Sequence, residues 1–354
     1  MPGAQNQIWK AKWRRSRNRT QVVIVSIRGV RRLFIALAAA GFLSVVRGEL
    51  HNPQMYSEMC DASAAVALDE NHFAVADDEG NTLRVYKKGD PKPTGEYEVH
   101  KFLGNARRAE SDLEGAARIG NRIYWISSHG RNREGDEALQ RQRFFATDIE
   151  GKNGHKLRPV GKTYGGLLED LIEDESFKRF GLEHASLRSP KHKGGLNIEG
   201  MCAGPNGSLY IGFRTPVPHG KALIAPLLNP DKVINGERAK FGEMITLDLG
   251  GFGIRDLTPA GDGFLLIASA VHGPKIFRIY WWDGKDGKPQ AISTESFEGL
   301  NPEAIFRFPD DRPGVFQILS DDGKLMGAGR PCKDFPKEQR HFRAGELHID
   351  LPKR

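Results

Sequence analysis

A short acidic or amide corner recurs five times along the chain, and each time the same run of local features follows it. Asp112-Leu-Glu114-Gly115 leads through a Gly-Asn turn into Ile123-Tyr-Trp-Ile-Ser-Ser128-His129. Asn197-Ile-Glu199-Gly200 leads into Leu209-Tyr-Ile-Gly-Phe-Arg214, and Asn301-Pro-Glu303-Ala304 into Val315-Phe-Gln-Ile-Leu-Ser320-Asp321. Weaker copies begin at Asp61-Ala-Ser63-Ala64, ending in His72-Phe-Ala-Val-Ala-Asp77, and at Gly253-Ile-Arg255-Asp256, ending in Phe264-Leu-Leu-Ile-Ala-Ser269. Each copy reads as corner, apolar strand, turn and second apolar strand, which is a repeated β-hairpin.

Third strands are expected after these hairpins at 82–86, 144–149, 243–249, 275–282 and 346–351, and a fourth at 97–102. Corner, strand, turn, strand, loop, strand is the order of a propeller blade. The fold class is therefore all-β: a single β-propeller domain over 49–354 with five recognisable blades. The long interval between Asp112 and Asn197 leaves a sixth, degenerate blade between Leu157 and Leu196 as the alternative. Within that interval Leu167, Leu168, Leu171 and Ile172 recur at helical spacing beside an acidic face, so a helical insertion is expected at about 165–195. Residues from Glu49 to about Ser57 are too few for a domain and are expected to supply a strand that closes the array.

The net charge of +7 is misleading as a guide to partners. Ten of the 52 Lys and Arg residues precede Glu49 and none of the 45 Asp and Glu residues does, so the remainder carries 42 basic against 45 acidic side chains, a net of −3. That balance argues against a nucleic-acid partner. The first 48 residues read instead as a targeting segment: a basic stretch ending in Arg31-Arg32-Leu-Phe34-Ile35, then the apolar run 36–46, which is short for a membrane span but has the length of a signal h-region. The expectation is a periplasmic or secreted monomer with no stable membrane anchor after signal cleavage. Three cysteines, Cys60, Cys202 and Cys332, allow one disulfide at most; closure of the ring would bring Cys60 and Cys332 near each other, but ordinary buried thiols are the expectation.

If the first strand of each blade descends the central channel and the next returns, every corner and every second-strand end shares one rim. Asp61/Ser63, Asp112/Glu114, Asn197/Glu199, Gly253/Arg255 and Asn301/Glu303 then encircle one mouth, beside Asp77, Ser128/His129, Arg214, His272 and Asp321. Three glutamates in a narrow channel repel one another and lose hydration, so something must compensate. One candidate is a divalent cation held by Glu114, Glu199, Asn301 and Glu303; an all-oxygen ligand set favours Ca2+ or Mg2+. The competing candidate is the guanidinium of Arg255, which needs no metal. A structural role also competes, since a corner carboxylate or amide can cap backbone N–H groups where one blade passes to the next.

Ser128-His129-Gly130-Arg131-Asn132 suits the grip of an anion, with Arg131 capable of bidentate hydrogen bonding. Glu114, His129 and Glu303 are the candidate catalytic residues, and Arg131, Arg214, Arg255 and His272 the candidate substrate-binding ones. His184, His192 and His219 are expected to be solvated. No GxSxG, HExxH, P-loop or flanked GxGxxG arrangement is present, which removes the reactions those motifs carry.

The stretches Ser-Asp112-Leu-Glu114-Gly-Ala, Trp-Ile-Ser-Ser-His129-Gly-Arg-Asn, Asn197-Ile-Glu199-Gly-Met and Gly-Ile-Arg255-Asp-Leu resemble a bacterial family of exported propellers of unknown function. That family lies close to the "esterase-like activity of phytase" domains, and the resemblance runs from about Cys60 to the C-terminus. A more distant resemblance is to gluconolactonase and regucalcin propellers, in which it implies metal-holding roles for Glu199, Asn301 and Glu303. The dense acidic clusters of a multi-calcium phytase are not evident. The functional expectation is a cation-binding propeller that takes an anionic or ester-bearing small molecule and hydrolyses it by metal-assisted chemistry. The alternative is a non-catalytic scaffold presenting its rim to a protein or polysaccharide; an Arg255–Glu network filling the channel would favour it, and a vacant pocket with converging Glu and His would favour the enzyme.

Overall fold

Each corner opens an inner strand, and the strands behind it pair antiparallel into a four-stranded blade. The computed structural model describes residues 47–352 apart from 152–154, 286, 295–296 and 298; the expected targeting segment falls almost wholly outside them. Blade 1 comprises Ala62–Ala67, His72–Asp77, Thr82–Lys87 and Pro93–Glu98. Blade 2 comprises Leu113–Ile119, Arg122–Ser127, Phe144–Glu150 and Lys156–Tyr164. Blade 3 is built from Asn197–Ala203, Leu209–Thr215, Ala222–Leu227 and Ile245–Leu247. Gly253–Ala260, Gly263–Ser269, Phe277–Trp282 and Gln290–Thr294 form blade 4.

Blade 5 draws on both ends of the chain. Pro302–Phe306, Val315–Ser320 and His341–Ile349 supply three strands, and Arg47–Ser57 pairs antiparallel with His341–Ile349 as the outermost fourth. The expected closing strand is thus present. Inner strands touch in the order of blades 1, 2, 3, 4, 5 and back to 1, which completes the ring.

Hydrophobic packing lies between neighbouring blades, because each blade buries both faces. The blade 5–blade 1 seam is aromatic: Tyr56 stacks on Phe342 at 5.3 Å between ring centroids, and Phe73 on Phe306 at 5.3 Å. The seam between blades 2 and 3 packs Ile126, Ile198 and Met201 with Phe144 and Phe213, and the insertion adds Leu167, Leu171 and Phe177 to it. There the helix Leu167–Glu173 buries Leu167, Leu168 and Leu171 while Glu169 stays exposed, as its spacing implies. No helix among the described residues is long and apolar enough to cross a membrane.

Four expectations are corrected. There is no sixth blade between Leu157 and Leu196: Lys156–Tyr164 completes blade 2 and short helices follow. The third strand of blade 3 is Ala222–Leu227, an apolar run hidden behind Pro216 and Pro218, and the residues at 245–247 form the fourth. The fourth strand of blade 1 is Pro93–Glu98, with a helical turn at His100–Leu103 in place of strand. Cys60 and Cys332 form a disulfide, with 6.0 Å between their Cα atoms, and Cys202 alone stays a buried thiol. Closure of blade 5 on blade 1 supplies the proximity that a sequence separation of 272 hides.

Candidate functional site

Every inner strand carries an irregularity at the same place. Strand pairing skips one residue at Ser63, Glu114, Glu199, Arg255 and Glu303, the second position of each corner. A β-bulge leaves its extra residue outside the ladder and turns its side chain away from the usual alternation. The following residue is small in four blades (Ala64, Gly115, Gly200, Ala304) because it lies against the neighbouring blade. A Cβ on Gly200 would come within 2.8 Å of Leu257 Cδ2 and 3.0 Å of Asp256 Cα. The bulge directs four of the five corner side chains into the channel, Glu114, Glu199, Arg255 and Glu303; Ser63 instead stays buried, donating to the Ala76 and Leu113 carbonyls.

The resulting mouth is a cavity of about 770 Å3, into which Asp61, Asp112, Glu114, Asn197, Glu199, Arg255, Asn301 and Glu303 all project with Arg214 and Asp321. It has two electrostatically distinct halves. Across blades 3, 4 and 5, Arg255 bridges two corners, with Nη1 2.9 Å from Glu199 Oε2 and Nη2 against Glu303 Oε2. Arg214 Nη1 donates to Glu199 Oε1 at 2.7 Å, and Asn197 Nδ2 donates to the same oxygen at 2.5 Å. Burial pulls the Arg255 guanidinium below the ordinary arginine value, while Glu199 holds it up. Asn301 Nδ2 donates to Asp321 Oδ2 at 2.9 Å, and Lys275 Nζ donates to Asn301 Oδ1 at 3.1 Å.

Blades 1 and 2 contribute carboxylates with far less compensation. Oxygens of Asp78, Asp112 and Glu114 lie within 4.8 Å of one another, and those of Asp61, Asp77 and Asp78 form an overlapping group. Asp112, held at a positive φ of 53°, accepts from Ser128 Oγ and from Arg141 Nη1 at 3.1 Å. Asp78 Oδ1 is buried without a hydrogen-bond partner. Among the described residues Glu114 makes no hydrogen bond or ion pair, although Arg214 and Arg255 attract it from a distance. Burial first, and then mutual repulsion, pushes Asp61 up to about 8 and holds Asp78 and Glu114 well above the usual carboxylate range. Burial raises Asp112 to about 6, against the pull of Arg141. Exposed Arg133, Lys191, His192, Lys275 and Lys324 stand around the outside of this acidic floor.

Three residues named from the sequence lie elsewhere. His129 is buried, its Nδ1 2.7 Å from the Ser127 carbonyl, and burial lowers its pKa to about 4. It lines a separate cavity of about 300 Å3 beneath the insertion. Arg131 lines the same cavity and donates to the backbone carbonyls of Ser186 and Gly135, pinning the loop to the insertion. His272 is exposed and is not among the residues lining the mouth. Conversely, sequence reasoning missed Asp78, Glu79, Glu110 and Arg141, and set His192 aside. Asp78 is one residue beyond the strand end Asp77, whose side chain turns away to Arg84 at 3.2 Å.

Likeness to solved structures is at the level of fold. The PQQ-bound aldose sugar dehydrogenase of Streptomyces coelicolor aligns at 11% identity and a TM-score of 0.41, over 85% of this chain and 99% of that one. The Swd1 β-propeller domain of Myceliophteria thermophila aligns at 8% identity and a TM-score of 0.34, over 86% and 100%. Hydrazine synthase of Kuenenia stuttgartiensis aligns at 13% identity and a TM-score of 0.36; 75% of this chain is covered, and the chain spans 57% of that protein's length. No curated protein sequence matches significantly. Residues 146–310, which carry the outer part of blade 2, the insertion, blades 3 and 4 and the first strand of blade 5, match the family described as "Protein of unknown function (DUF3616)".

Proposed function

We propose that the acidic half of the mouth holds a divalent cation, Ca2+ or Mg2+, and that the cation and the surrounding basic side chains together bind an anionic, ester-bearing small molecule. The observation that carries this reading is the convergence of Asp78, Asp112 and Glu114, with Asp78 Oδ1 buried and unpartnered. Oxygen donors alone suit a hard cation. Of the ligands expected from the sequence, Glu114 stays in this set; Glu199, Glu303 and Asn301 are engaged by Arg255, Arg214 and Lys275, so the seat we propose lies between blades 1 and 2. Lys191, Lys275 and Lys324 would receive the negative groups of the ligand, and the Arg255 network would fix the floor beneath it. A cation bound there would polarise an ester oxygen and lower the pKa of a bound water, which makes hydrolysis the reaction class to assay. The kinship to esterase-like and phytase-like propellers belongs to this same reading, as does export, which the Cys60–Cys332 disulfide supports.

Chelator-stripped protein titrated with Ca2+ tests the binding claim. Saturation at a hundred times Kd should add about 2.7 kcal/mol of stability, seen as a higher Tm, and Asp78→Asn or Glu114→Gln should abolish the rise. Absence of any Ca2+- or Mg2+-dependent change in the wild type would sink the reading. A panel of phosphoesters and lactones then asks whether the bound ligand is turned over. A non-catalytic scaffold is the second reading, favoured by the Arg255–Glu199–Glu303 network that occupies half the channel; it is preferred if cation binding holds and no ester is cleaved.

A further inference from the structure

A second set of metal-type donors lies at the other end of the strands from the mouth. Asp69 and His72 sit at the turn between the first two strands of blade 1, and His155 immediately precedes Lys156–Tyr164 of blade 2. His72 Nδ1 is 3.0 Å from Asp69 Oδ1, His155 Nε2 is 2.6 Å from Asp69 Oδ2, and the three donor atoms lie within 4.8 Å of one another. The two imidazole rings lie face against face, 3.5 Å between centroids and 32° apart. The carboxylate is oriented in advance, since Oδ1 accepts from the backbone N–H of Asn71 at 2.7 Å and of His72 at 2.8 Å. Tyr97 Oη donates to the His155 carbonyl at 3.1 Å and anchors the incoming chain. Side-chain exposures of 15%, 30% and 26% for His72, Asp69 and His155 leave the cluster open to solvent.

We propose that Asp69, His72 and His155 form a site for a zinc-type divalent transition ion at the seam between blades 1 and 2, unconnected with the channel mouth. Two imidazole nitrogens and one carboxylate oxygen are the donor set of zinc-type ions, and a hard cation such as Ca2+ prefers the all-oxygen cluster. Solvent access supplies the fourth position. Ligand bonds of about 2.0–2.1 Å place tetrahedral donors roughly 3.3 Å apart, so His155 Nε2, now 2.6 Å from Asp69 Oδ2, must move outward by about 0.7 Å. One charge opposes binding: the guanidinium of Arg118, fixed on the Ala67 and Leu68 carbonyls at 2.9 and 2.6 Å, lies near Asp69. The carboxylate offsets it in the ion-free protein, so less of its negative charge is left to attract the ion.

Tag-free, chelator-stripped full-length protein titrated with Co2+ provides the test, because tetrahedral Co2+ shows intense visible d–d bands that Zn2+ then displaces. The expected result is one equivalent of Co2+ with such bands, bound more than about tenfold more weakly in His155→Gln and in His72→Gln, and unchanged in Asp78→Asn. Circular dichroism confirms that each variant is folded. Wild-type protein that develops no bands, or bands that persist at full strength in both histidine variants, would overturn the proposal. Either outcome leaves the Ca2+ titration of the mouth untouched, since the two sites share neither residues nor preferred metal.

Discussion

The two halves of the channel mouth are built from the same bulged corner and end in opposite electrostatic states. Around blades 3 to 5, one corner carries Arg255 where the others carry Glu or Ser, and that exchange pairs Glu199 with Glu303 through a single guanidinium. Around blades 1 and 2 no such residue stands among the corners. Asp61, Asp78, Asp112 and Glu114 face one another with Arg141, Lys333 and distant arginines offsetting them only in part, and burial together with this crowding raises their proton affinities. A repeat thus fixes where side chains point, and the residue chosen at one position per blade decides whether the shared space is self-neutralised or left needing a charge from outside. The only disulfide lies on the uncompensated side: Cys60 adjoins Asp61, and Gly323, whose Cβ would overlap Asp61 Oδ1, brings the last blade against it.

Removing the internal cation should break the contrast most strongly. Arg255→Met takes the ion-pair partner from Glu303 and leaves buried Glu199 with Arg214 alone, and is expected to cost about 3–5 kcal/mol in denaturant unfolding. Adding Glu199→Gln and Glu303→Gln to that variant should recover most of the loss, and failure of that recovery would mean the arginine acts through packing rather than charge. Next comes the covalent tie, where Cys60→Ser with Cys332→Ser should cost roughly 2–5 kcal/mol, because the cross-link spans nearly the whole domain. Above pH 8, where Asp61 is ionised, part of that loss should return when Asp61 is also replaced by Asn, if the disulfide restrains the repelling half; equal losses with and without Asp61 would remove the link we draw between them.

The most diagnostic effect is on pH dependence in chelator. The folded-state pKa of Asp61 is about 8 against an ordinary 3.8, so the native protein holds a proton that the unfolded chain has released. Its contribution is therefore full below about pH 4 and is lost as pH rises towards 8. His129, lowered from 6.5 to about 4, acts in the opposite sense, its contribution fading as pH falls through that interval. Comparing wild type with Asp61→Asn cancels the histidine. The variant should gain relative stability steadily between pH 4 and 8 and no further above it; parallel Tm curves would refute the raised pKa.

Much of the mouth was legible because repetition is a statement about geometry. Five corners at equivalent points of five hairpins must share a rim if the ring closes, and Glu114, Glu199, Arg255 and Glu303 do share it. Arg255 was already the candidate counter-charge, since it breaks the pattern of its own repeat. His129 and His272 could not be placed the same way. Both follow a second strand, but the left-handed backbone at His129, with φ of 54°, folds its ring back under the blade, and the exposed loop at 271–276 carries His272 outward. Asp78 was overlooked for the converse reason, as nothing in the pattern distinguishes it from Asp77, and only the Asp77–Arg84 pair shows which of the two faces the cavity.

The sequence by itself determined the class of fold, the number of strong repeats, the closing role of the first strand and the set of corners, because alternation and turn chemistry are local and recur. Tertiary structure alone decided the bulges, the partners of each carboxylate and the union of Cys60 with Cys332. Those depend on which blade lies beside which and on how far one residue slips in a ladder, distances set by the closed ring and by no neighbouring residue in the chain.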